Sequence, residues 1–259
     1  MADGIIRVGL IGAGANTRLR HIGGLREQQG VEVVGVANRS RESGERFAGE
    51  FEVPKVYDNW KDLMDDDDVD AICIGTWPYM HRTLVLEALE RGKHVLTEAR
   101  MAMNAKEAQD MLDASRRHPD VIAQIVPAPG TLQVDETIID TMGTDFLGDI
   151  LAVRLRVADA HGRQAGGTPD TFVHPEGEMH WRHDRELSGY NILGMGIWYE
   201  SIMRYVGPAT KVMAMTKVCV QQRTDADGRM HSVAVPDHVN VLCEMACGAQ
   251  ADMSWSTVT

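Results

Sequence analysis

The sequence is poor in cysteine, in basic charge and in long apolar runs. Only four of its 259 residues are cysteine, too few for a disulfide-dense secreted scaffold, so a reducing cytoplasm is the expected compartment. There are 26 Lys and Arg against 38 Asp and Glu, a net charge of −12, which argues against general binding to nucleic acid or anionic membranes. No apolar run reaches membrane-spanning length, and no basic leader precedes an apolar core, so neither a transmembrane segment nor a signal peptide is predicted.

The first half of the chain alternates short apolar segments with segments of helical periodicity. Alternating β and α elements with apolar strands indicate a parallel sheet that is covered by helices on both faces. We therefore predict an N-terminal α/β domain, a Rossmann doubly wound parallel sheet, over residues 1–126. Its predicted strands are Ile5–Ile11, Val31–Ala37, Ala71–Gly75, His94–Thr97 and Val121–Ile125, and its predicted helices are Arg18–Gln28, Arg41–Phe51, Tyr79–Arg91 and Lys106–Arg117.

The pattern changes after the segment Pro127-Ala128-Pro129-Gly130, which indicates a domain boundary. Beyond it, long segments alternate polar and apolar residues, as in an antiparallel sheet with one covered face. We predict a C-terminal α+β domain with a mostly antiparallel open sheet over residues 127–259. Its predicted strands are Ile150–Ala158, Lys211–Val220, Val239–Ala246 and Gln250–Thr257, its predicted helices are Thr131–Met142 and Asn191–Tyr205, and Ala160–Ser188 is expected to be a long functional loop.

The most informative segment is Ile5–Leu25, which reads IIRVGLIGAGANTRLRHIGGL. A short apolar run ends in Gly12 and Gly14, and a helical pattern follows at once. Glycine in such a turn lets a pyrophosphate approach the backbone, and the N–H groups at the start of the helix favour an anion. Thr17 stands where the dinucleotide motif has its third small residue, so a glycine-rich turn that holds no ligand is the alternative.

The residues after the second predicted strand are those that meet the adenosine ribose in dinucleotide-binding domains. An acidic residue there favours the free 2′-hydroxyl of NAD, whereas this chain has Asn38-Arg39-Ser40-Arg41. Two arginines and a hydroxyl favour the 2′-phosphate of NADP, because guanidinium groups bind phosphate strongly. The alternative is a solvated helix start with Ser40 as its N-cap. NADP is therefore the predicted cofactor, with NAD as the alternative.

Five segments give the chain a resemblance to the Gfo/Idh/MocA oxidoreductases, a family named for glucose–fructose oxidoreductase and inositol dehydrogenase. They are VGLIGAG, VDAICIGTWPYMHRTLVLEALERGKHVLTEA, the turn Leu147-Gly148-Asp149-Ile150, Trp181-Arg182 and SGYNILGMGIWYESIMRYVG. The resemblance implies a cofactor-facing turn in which Trp77 is an insertion-like variation, and it aligns Glu98 with the acid of the family's Glu-Lys-Pro tripeptide. The expected cofactor-binding residues are Gly12, Gly14, Ala15, Asn16, Asn38, Arg39, Ser40, Thr76, Trp77, Pro78, His81 and Glu98.

The chain departs from the family at the residues that handle the substrate proton. Ala99 stands where the family has its catalytic lysine, and Arg100 replaces the following proline. On the later helix, Gly194 and Trp198 stand at the positions of the family's Asp and His. Hydride transfer from a carbinol requires a positioned base for the hydroxyl proton, so another group must take that role if the reaction is retained.

The catalytic candidates are Arg100, His180, His183 and Glu200. Arg100 can polarise an oxygen but stays protonated, and pairing with Glu98 or solvation is the alternative. His180 and His183 are preferred as bases because imidazole titrates near neutral pH; the alternative is a polar exposed loop. Glu200 serves only if it faces inward, and a surface salt bridge is the more common fate of a helical glutamate.

The expected substrate-facing residues are Trp181, Arg182, Tyr190 and Trp198. An aromatic wall of Trp77, Trp181 and Trp198 would suit a sugar ring or a flat substrate, and buried packing is the alternative. The histidines near Trp181 match no common metal spacing. The acidic run Asp65–Asp68 is expected to be a solvated loop, so no metal site is predicted.

Three functions remain open from the sequence. The first is an NAD(P)-dependent oxidoreductase that transfers a hydride to or from a sugar, polyol or related cyclic alcohol. The second is a lyase or hydrolase that uses bound NAD(P) for transient oxidation, and the third is a non-catalytic NAD(P)-binding protein. The family's second domain usually runs further, so the last segment is expected to be an edge strand or to mark a shortened sheet. An unpaired edge favours a homo-oligomer formed through the C-terminal sheet.

Overall fold

A computed structural model describes residues 4–127, 134–158, 178–190, 192 and 194–258. The chain divides into two units, Met1–Pro127 and Ala128–Thr259, each with its own sheet and core. Most of the predicted loop Ala160–Ser188 lies outside the described residues. Among the residues that are described, no helix is long and apolar enough to cross a membrane.

The first unit is built from six parallel strands and five α-helices. The strands are β1 (Ile6–Ile11), β2 (Val31–Ala37), β3 (Lys55–Tyr57), β4 (Ala71–Ile74), β5 (His94–Thr97) and β6 (Ala123–Ile125). The helices are α1 (Ile22–Arg26), α2 (Arg41–Phe51), α3 (Trp60–Met64), α4 (Pro78–Glu90) and α5 (Ala105–Arg117). The sheet order is β3-β2-β1-β4-β5-β6.

The strands of this parallel sheet are apolar, and helices cover both of its faces. Phe47 of α2 packs in one core layer with β1 and β2, and Leu84 of α4 packs in the other with β4 and β5. The predicted doubly wound parallel sheet is confirmed. Since the strand order reverses between β1 and β4, a crevice lies outside the carboxyl ends of these two strands, where α/β folds bind ligands.

Short elements and one helix differ from the sequence-based expectation. The segments β3 and α3 were not predicted, because a pattern of three to five residues carries little periodicity. The helix predicted at Arg18–Gln28 begins as a π-helical turn, Thr17–His21, and continues as α1. A π-turn inserts a residue into the helical repeat and is frequent at functional sites.

The acidic run after α3 is a largely exposed loop, as expected, and it also carries an ion-paired network. Asp66 accepts hydrogen bonds from the Tyr57 hydroxyl (2.5 Å) and the Lys55 ammonium (3.0 Å). The Tyr57 hydrogen bond is the main cause that lowers the pKa of Asp66 to about 2, and burial raises the pKa of Tyr57 to about 12. Arg7 binds Asp70 in the same way (3.0 Å). These contacts tie the segment before β4 to β1 and β3.

The described residues of the second unit form a four-stranded sheet, a two-stranded hairpin and short helices. Its helices are α6 (Asp135–Met142), α7 (Arg185–Ser188) and α8 (Met195–Val206), and a 3₁₀ turn spans Trp181–His183. Its strands are β7 (Ala152–Ala158), β8 (Ala209–Lys217), β9 (Gln222–Thr224), β10 (Met230–Ser232), β11 (His238–Met245) and β12 (Gln250–Ser256). The sheet order is β7-β12-β11-β8, antiparallel except for the β7–β12 pair.

The expectation that the last segment is an edge strand is wrong. β12 lies between β11 and β7, and the alternating side chains Ala251, Met253 and Trp255 point into the core beneath α8. The first strand of this unit, β7, occupies one edge because it pairs in parallel with the last. Order along the chain therefore does not give order in this sheet.

Candidate functional site

A tight turn follows β1 at the centre of the crevice. Gly12 has φ +84°, in the left-handed region, and an added Cβ would lie 2.7 Å from the backbone nitrogen of Thr76. The Gly12 N–H donates to the Ala37 carbonyl at 2.9 Å, and the Gly75 N–H donates to the Ile11 carbonyl at 2.8 Å. Only glycine suits position 12, because both its conformation and its distance from the neighbouring turn exclude a side chain.

Thr17 takes the place of the motif's third small residue without blocking the turn. Its hydroxyl donates to the Gly12 carbonyl at 3.1 Å, and the residue is buried. Room for that hydroxyl comes from Gly75, where an added Cβ would lie 2.5 Å from the same Gly12 carbonyl oxygen. The helix start at Ala15 then has first-turn N–H groups that lack intrahelical acceptors.

The space above this helix start is open. An added Cβ at Gly14 would meet only the Gly75 carbonyl oxygen, at 4.0 Å. An open glycine turn at a helix N-terminus matches what a pyrophosphate needs, namely close backbone approach and unpaired N–H donors. The residues present therefore fit a dinucleotide, and Gly12, Gly14, Ala15 and Asn16 lie together at this point.

Asn38 contacts the turn itself. Its side-chain oxygen accepts the Ala13 N–H at 2.6 Å. That oxygen is therefore engaged with the turn that it supports, whereas an acidic residue at this position binds the ribose hydroxyl in NAD-specific domains. The neutral amide also adds no negative charge to the place where a 2′-phosphate would lie.

The two arginines after β2 have different surroundings. Arg41 donates to Glu45 at 2.8 Å and to Asp58 at 2.6 Å, so its charge is balanced by one carboxylate of α2 and one that follows β3. Ser40 is the N-cap of α2 and accepts the Ser43 N–H at 3.3 Å, as in the alternative interpretation of this segment. Arg39 places its guanidinium over the Trp77 ring, with its Cζ 5.7 Å from the ring centroid.

Glu98 follows β5 and is held by two residues of the first helix. His21 and Asn16 both bind its Oε1 atom, and the side chains of His21 and Glu98 are 10% and 13% exposed. Burial raises the pKa of Glu98, but the hydrogen bonds from His21 and Asn16 lower it by more, so the pKa lies below its ordinary value. Sequence reasoning missed His21, since the π-turn shifts the side-chain register by one residue.

His81 lies beneath the turn that follows β4 rather than at its surface. It is 1% exposed, with Nδ1 at 3.0 Å from the Arg100 carbonyl and Nε2 at 2.9 Å from the Thr76 carbonyl. Both ring nitrogens face the backbone, so His81 supports the turn and presents no nitrogen to a cofactor. Burial is the main cause that lowers its pKa. Its expected role in direct cofactor contact is corrected to one of support.

Three of the cofactor-side candidates remain at the rim of the crevice. Thr76 and Trp77 form the turn after β4, and Pro78 is the first residue of α4. The Arg100 carbonyl oxygen lies 3.0 Å from His81 Nδ1, and the guanidinium Nη1 atom of Arg100 is enclosed by protein. An enclosed guanidinium atom does not fit the solvated alternative for this side chain.

In the second unit, the candidate bases close a 3₁₀ turn. The His180 Nδ1 accepts the Arg182 N–H at 3.4 Å, and the His183 Nδ1 accepts the His180 N–H at 3.2 Å. A neutral imidazole that accepts at Nδ1 carries its proton on Nε2. In this arrangement both rings can donate a hydrogen bond from Nε2, but neither has an unprotonated Nε2 to act as a base.

The remaining candidates of the second unit make local contacts. Glu200 accepts from Arg204 at 2.9 Å one helical turn away, the salt bridge that was the alternative for this residue. Tyr190 is exposed and accepts from Arg185 at 2.6 Å. Arg182 stacks on Trp181, with its Cζ 4.3 Å from the ring centroid, and Trp198 is exposed on α8. No cluster suited to a metal ion occurs among the described residues.

Comparison with known proteins identifies the architecture. The oxidoreductase family model with an NAD-binding Rossmann fold matches residues 6–125, and the GFO/IDH/MocA C-terminal domain model matches residues 139–259. The chain belongs to the Gfo/Idh/MocA oxidoreductase family. Membership confirms the resemblance that the sequence motifs indicated.

Individual relatives are similar at modest identity. The chain is 27% identical over 254 residues to trans-1,2-dihydrobenzene-1,2-diol dehydrogenase of Sus scrofa. The aligned region covers 98% of this chain and 67% of that protein. It is 29% identical over 195 residues to inositol 2-dehydrogenase/D-chiro-inositol 3-dehydrogenase of Lacticaseibacillus casei, which covers 73% and 56%. The chain thus spans roughly three fifths of the length of its curated relatives.

A solved structure shares the fold. The WlbA dehydrogenase of Chromobacterium violaceum, determined in complex with NADH and UDP-GlcNAcA, superposes with a TM-score of 0.79 at 20% identity. The superposition covers 100% of this chain and 69% of the dehydrogenase. At this identity the likeness establishes the fold of the chain.

Proposed function

We propose that the chain is an NAD(P)-dependent oxidoreductase with a preference for NADP, which transfers a hydride to or from a sugar, polyol or related cyclic alcohol. The observation that carries the proposal is the Gly12 turn with its open helix start, next to the neutral Asn38 and the basic Arg39. Together they provide an anion site for the pyrophosphate and a cation for the 2′-phosphate.

The chain's residues divide the binding of the dinucleotide between them. The N–H groups at Ala15, Asn16 and Thr17 would hold the pyrophosphate, and Arg39 with Ser40 would hold the 2′-phosphate. When bound, the nicotinamide supplies or accepts the hydride. Glu98, kept ionised by His21 and Asn16, offers its second oxygen as an acceptor at the same edge of the sheet.

The names of the relatives support the substrate class. One is a dehydrogenase of a cyclic diol and another of inositols, and both substrates carry neighbouring ring hydroxyls. In the second unit, Arg182 lies over the Trp181 ring, and an aromatic ring beside a cation is a combination that suits a polar ring.

A second candidate function is a nucleotide-binding protein that performs no net redox reaction, either by transient oxidation or without catalysis. It is favoured by the state of the acid–base candidates: His180 and His183 close a backbone turn, and Glu200 pairs with Arg204. Each would have to leave its contact to accept the substrate proton. The family positions of the catalytic lysine and histidine hold Ala99 and Trp198.

A turnover screen separates these functions. The full chain is incubated with NADP⁺ or NADPH and a panel of inositols, cyclic diols, sugars and their ketones, while nicotinamide absorbance and products are followed together. Net NADPH change with product supports the oxidoreductase. Product without net change indicates transient oxidation, and nucleotide binding without product indicates a non-catalytic protein; either result overturns the first proposal.

The cofactor preference is tested separately with Arg39→Ala. Loss of a charge-assisted contact of about 1.5–3 kcal/mol corresponds to about 10- to 100-fold weaker NADPH binding, with NADH nearly unchanged. Arg41→Ala is the matched control, because its guanidinium already binds Glu45 and Asp58. Equal losses for both nucleotides in Arg39→Ala would contradict the 2′-phosphate assignment.

We also propose a homo-oligomer formed through the C-terminal sheet in a reducing compartment such as the cytoplasm. The face opposite the α8 core exposes Met213, Met215 and Leu242, at 69%, 73% and 55%, and exposed apolar patches commonly mark interfaces. Cys73, Cys219, Cys243 and Cys247 are free thiols, which suits a reducing compartment. Light scattering tests the assembly, and a monomer at low micromolar concentration would contradict it.

A further inference from the structure

The guanidinium of Arg39 and the indole of Trp77 meet across the end of β1. Arg39 follows β2 and Trp77 follows β4, and these strands flank β1 in the sheet. The Arg39 Cζ lies 5.7 Å from the centre of the indole ring, within the range of a cation–π contact. The contact therefore joins two turns that border the glycine turn from opposite sides.

This contact is a cation–π contact and not a salt bridge, so it does not place a carboxylate on the N–H donors of Arg39. A stacked arginine keeps its N–H donors in the plane of the group, where they can bind the oxygens of a phosphate in a bidentate way. Arg41 is different, because carboxylates of Glu45 and Asp58 already take its donors. Of the two arginines after β2, Arg39 is thus the one arranged for an anionic ligand.

The position of Trp77 is set by the backbone that carries it. Trp77 is the N-cap of α4 in an extended conformation, φ −80° and ψ 155°, and Pro78 is the first helical residue. A residue before proline is restricted to the extended region. His81 binds the Thr76 carbonyl from below, and the Tyr79 ring lies 6.5 Å from the indole, centroid to centroid. The indole is therefore held in a defined position, where it can contact the flexible side chain of Arg39.

Restricting the conformations of an exposed arginine side chain affects how strongly it binds a ligand. A free arginine side chain loses rotamer entropy when it binds a ligand. A guanidinium that already contacts a ring has lost part of this entropy before the ligand binds. Such preorganisation strengthens binding because less entropy is lost in the binding step. The gain applies only to ligands that use Arg39.

We propose that Trp77 is a positioning residue that holds Arg39 ready for the 2′-phosphate, and so helps to set the preference for NADP over NAD. The proposal rests on the NADP preference proposed above. It assigns a role in cofactor discrimination to an aromatic side chain that lies on a different strand end from the basic turn.

A double-mutant cycle tests the coupling without any need for a known substrate. The full-length chain, Trp77→Leu, Arg39→Ala and the double variant are titrated calorimetrically with adenosine 2′,5′-bisphosphate and with adenosine 5′-monophosphate. The measured quantity is the ratio of the two dissociation constants, which isolates the 2′-phosphate. In Trp77→Leu, binding of the bisphosphate should weaken by about 3- to 10-fold relative to binding of the monophosphate. This is the loss that follows when one side chain must be immobilised on binding. In the Arg39→Ala background, Trp77→Leu should not change it further.

Conservative and control variants keep the test interpretable. Trp77→Phe retains an aromatic face and should restore most of the discrimination lost in Trp77→Leu, which a purely structural role would not predict. Arg41→Ala should leave the ratio unchanged. Thermal unfolding of each variant shows whether the fold is retained, and Trp77→Met, which also lacks an aromatic face, serves as the test variant if Trp77→Leu does not fold.

Two results would overturn the proposal. Equal weakening of both nucleotides by Trp77→Leu would mean that the indole contacts the adenosine itself. An unchanged ratio in Trp77→Leu, with a changed ratio in Arg39→Ala, would show that Arg39 needs no support. If Arg39→Ala itself leaves the ratio unchanged, the NADP preference fails first, so the two failures are distinguishable.

Discussion

Polar side chains at the crevice rim of the first unit bind residues that are distant in sequence. Those around Trp181–His183 in the second unit bind residues close in sequence. At the rim, Asn38 binds the backbone of Ala13, and Glu98 binds His21 and Asn16, across 25 to 82 residues of sequence. These contacts hold an open helix start. In the second unit, His180 and His183 close their own turn and Glu200 pairs within its own helix. The cofactor site is thus built by long-range contacts, whereas the groups expected to move protons are engaged locally.

Among substitutions at the crevice rim, Gly12→Ala is expected to have the largest effect on stability and nucleotide binding. The new Cβ would stand 2.7 Å from the Thr76 backbone nitrogen, at φ +84°. The left-handed conformation alone costs about 1–2 kcal/mol, and the backbone clash adds to it, so loss of nucleotide binding and about 3 kcal/mol of stability is expected. Denaturant unfolding and nucleotide titration measure both.

Gly49→Ala in α2 is the matched control for that change. An added Cβ there meets nothing within 4 Å, and alanine in a helix interior stabilises by up to about 1 kcal/mol relative to glycine. Normal nucleotide affinity in Gly12→Ala would show that the turn is not the binding site.

Glu98→Ala tests the contacts that join β5 to the first helix. His21 and Asn16 would lose their shared acceptor, at a cost of about 1–3 kcal/mol for unsatisfied polar groups. Glu98→Gln keeps an acceptor oxygen and should cost less. Urea unfolding of the three proteins at neutral pH gives the comparison, and equal stability of the alanine variant would contradict the described network.

The same residue predicts a pH dependence with a definite sign. The pKa of Glu98 in the folded protein lies below its ordinary value. Its ionised form therefore contributes stability that is fully present above the unfolded pKa of about 4.3 and is lost as the pH falls through the folded pKa. The stability difference between wild type and Glu98→Gln should shrink on acidification, and a constant difference would contradict the pKa shift.

Tyr57→Phe addresses the ion-paired network around Asp66 and serves as a reference for the glycine turn. Loss of its hydrogen bond to Asp66 should cost about 1 kcal/mol without an effect on nucleotide binding. The Asp66 pKa of about 2 should rise toward its ordinary value. Carbon NMR titration of the Asp66 carboxyl follows this shift, and an unchanged titration midpoint would show that Tyr57 does not stabilise the carboxylate.

The smallest effect is expected in the second unit. Asparagine can replace the Nδ1 acceptor of histidine with its side-chain oxygen, so His180→Asn should change stability by less than about 0.5 kcal/mol, whereas His180→Ala should cost about 1 kcal/mol. Nitrogen NMR of the labelled histidines should show the Nε2-protonated tautomer for His180 and His183. A proton on Nδ1 of either ring would remove the cap and restore that residue as a candidate base.

Much of the fold follows from the sequence, because buried strands are apolar and helix starts carry caps. The bounds of β2, β5 and α2 are those predicted, and Ser40 caps α2. The position of β12 inside its sheet could not be predicted, since pairing with β7 is a long-range choice. His21 was missed because a π-turn changes the helical register.

The glycine turn and basic segment could be located from the sequence, but not the local contacts of their residues. Motif spacing places Gly12, Asn38 and Arg39 near one another through strand order. It does not show that Thr17 fits because Gly75 makes room, or that Arg41 pairs with carboxylates while Arg39 stacks on Trp77. Those outcomes depend on side-chain contacts between separate strand ends.

Direct binding of NADPH and NADH to the wild-type chain tests the central claim most directly. Fluorescence of the reduced nicotinamide, titrated under identical salt, gives both dissociation constants. The account predicts that NADPH binds about 10-fold or more tightly than NADH, because Arg39 meets the additional phosphate. Equal affinities, tighter binding of NADH, or no binding of either nucleotide at about 1 mM, equivalent to about −4 kcal/mol, would contradict it.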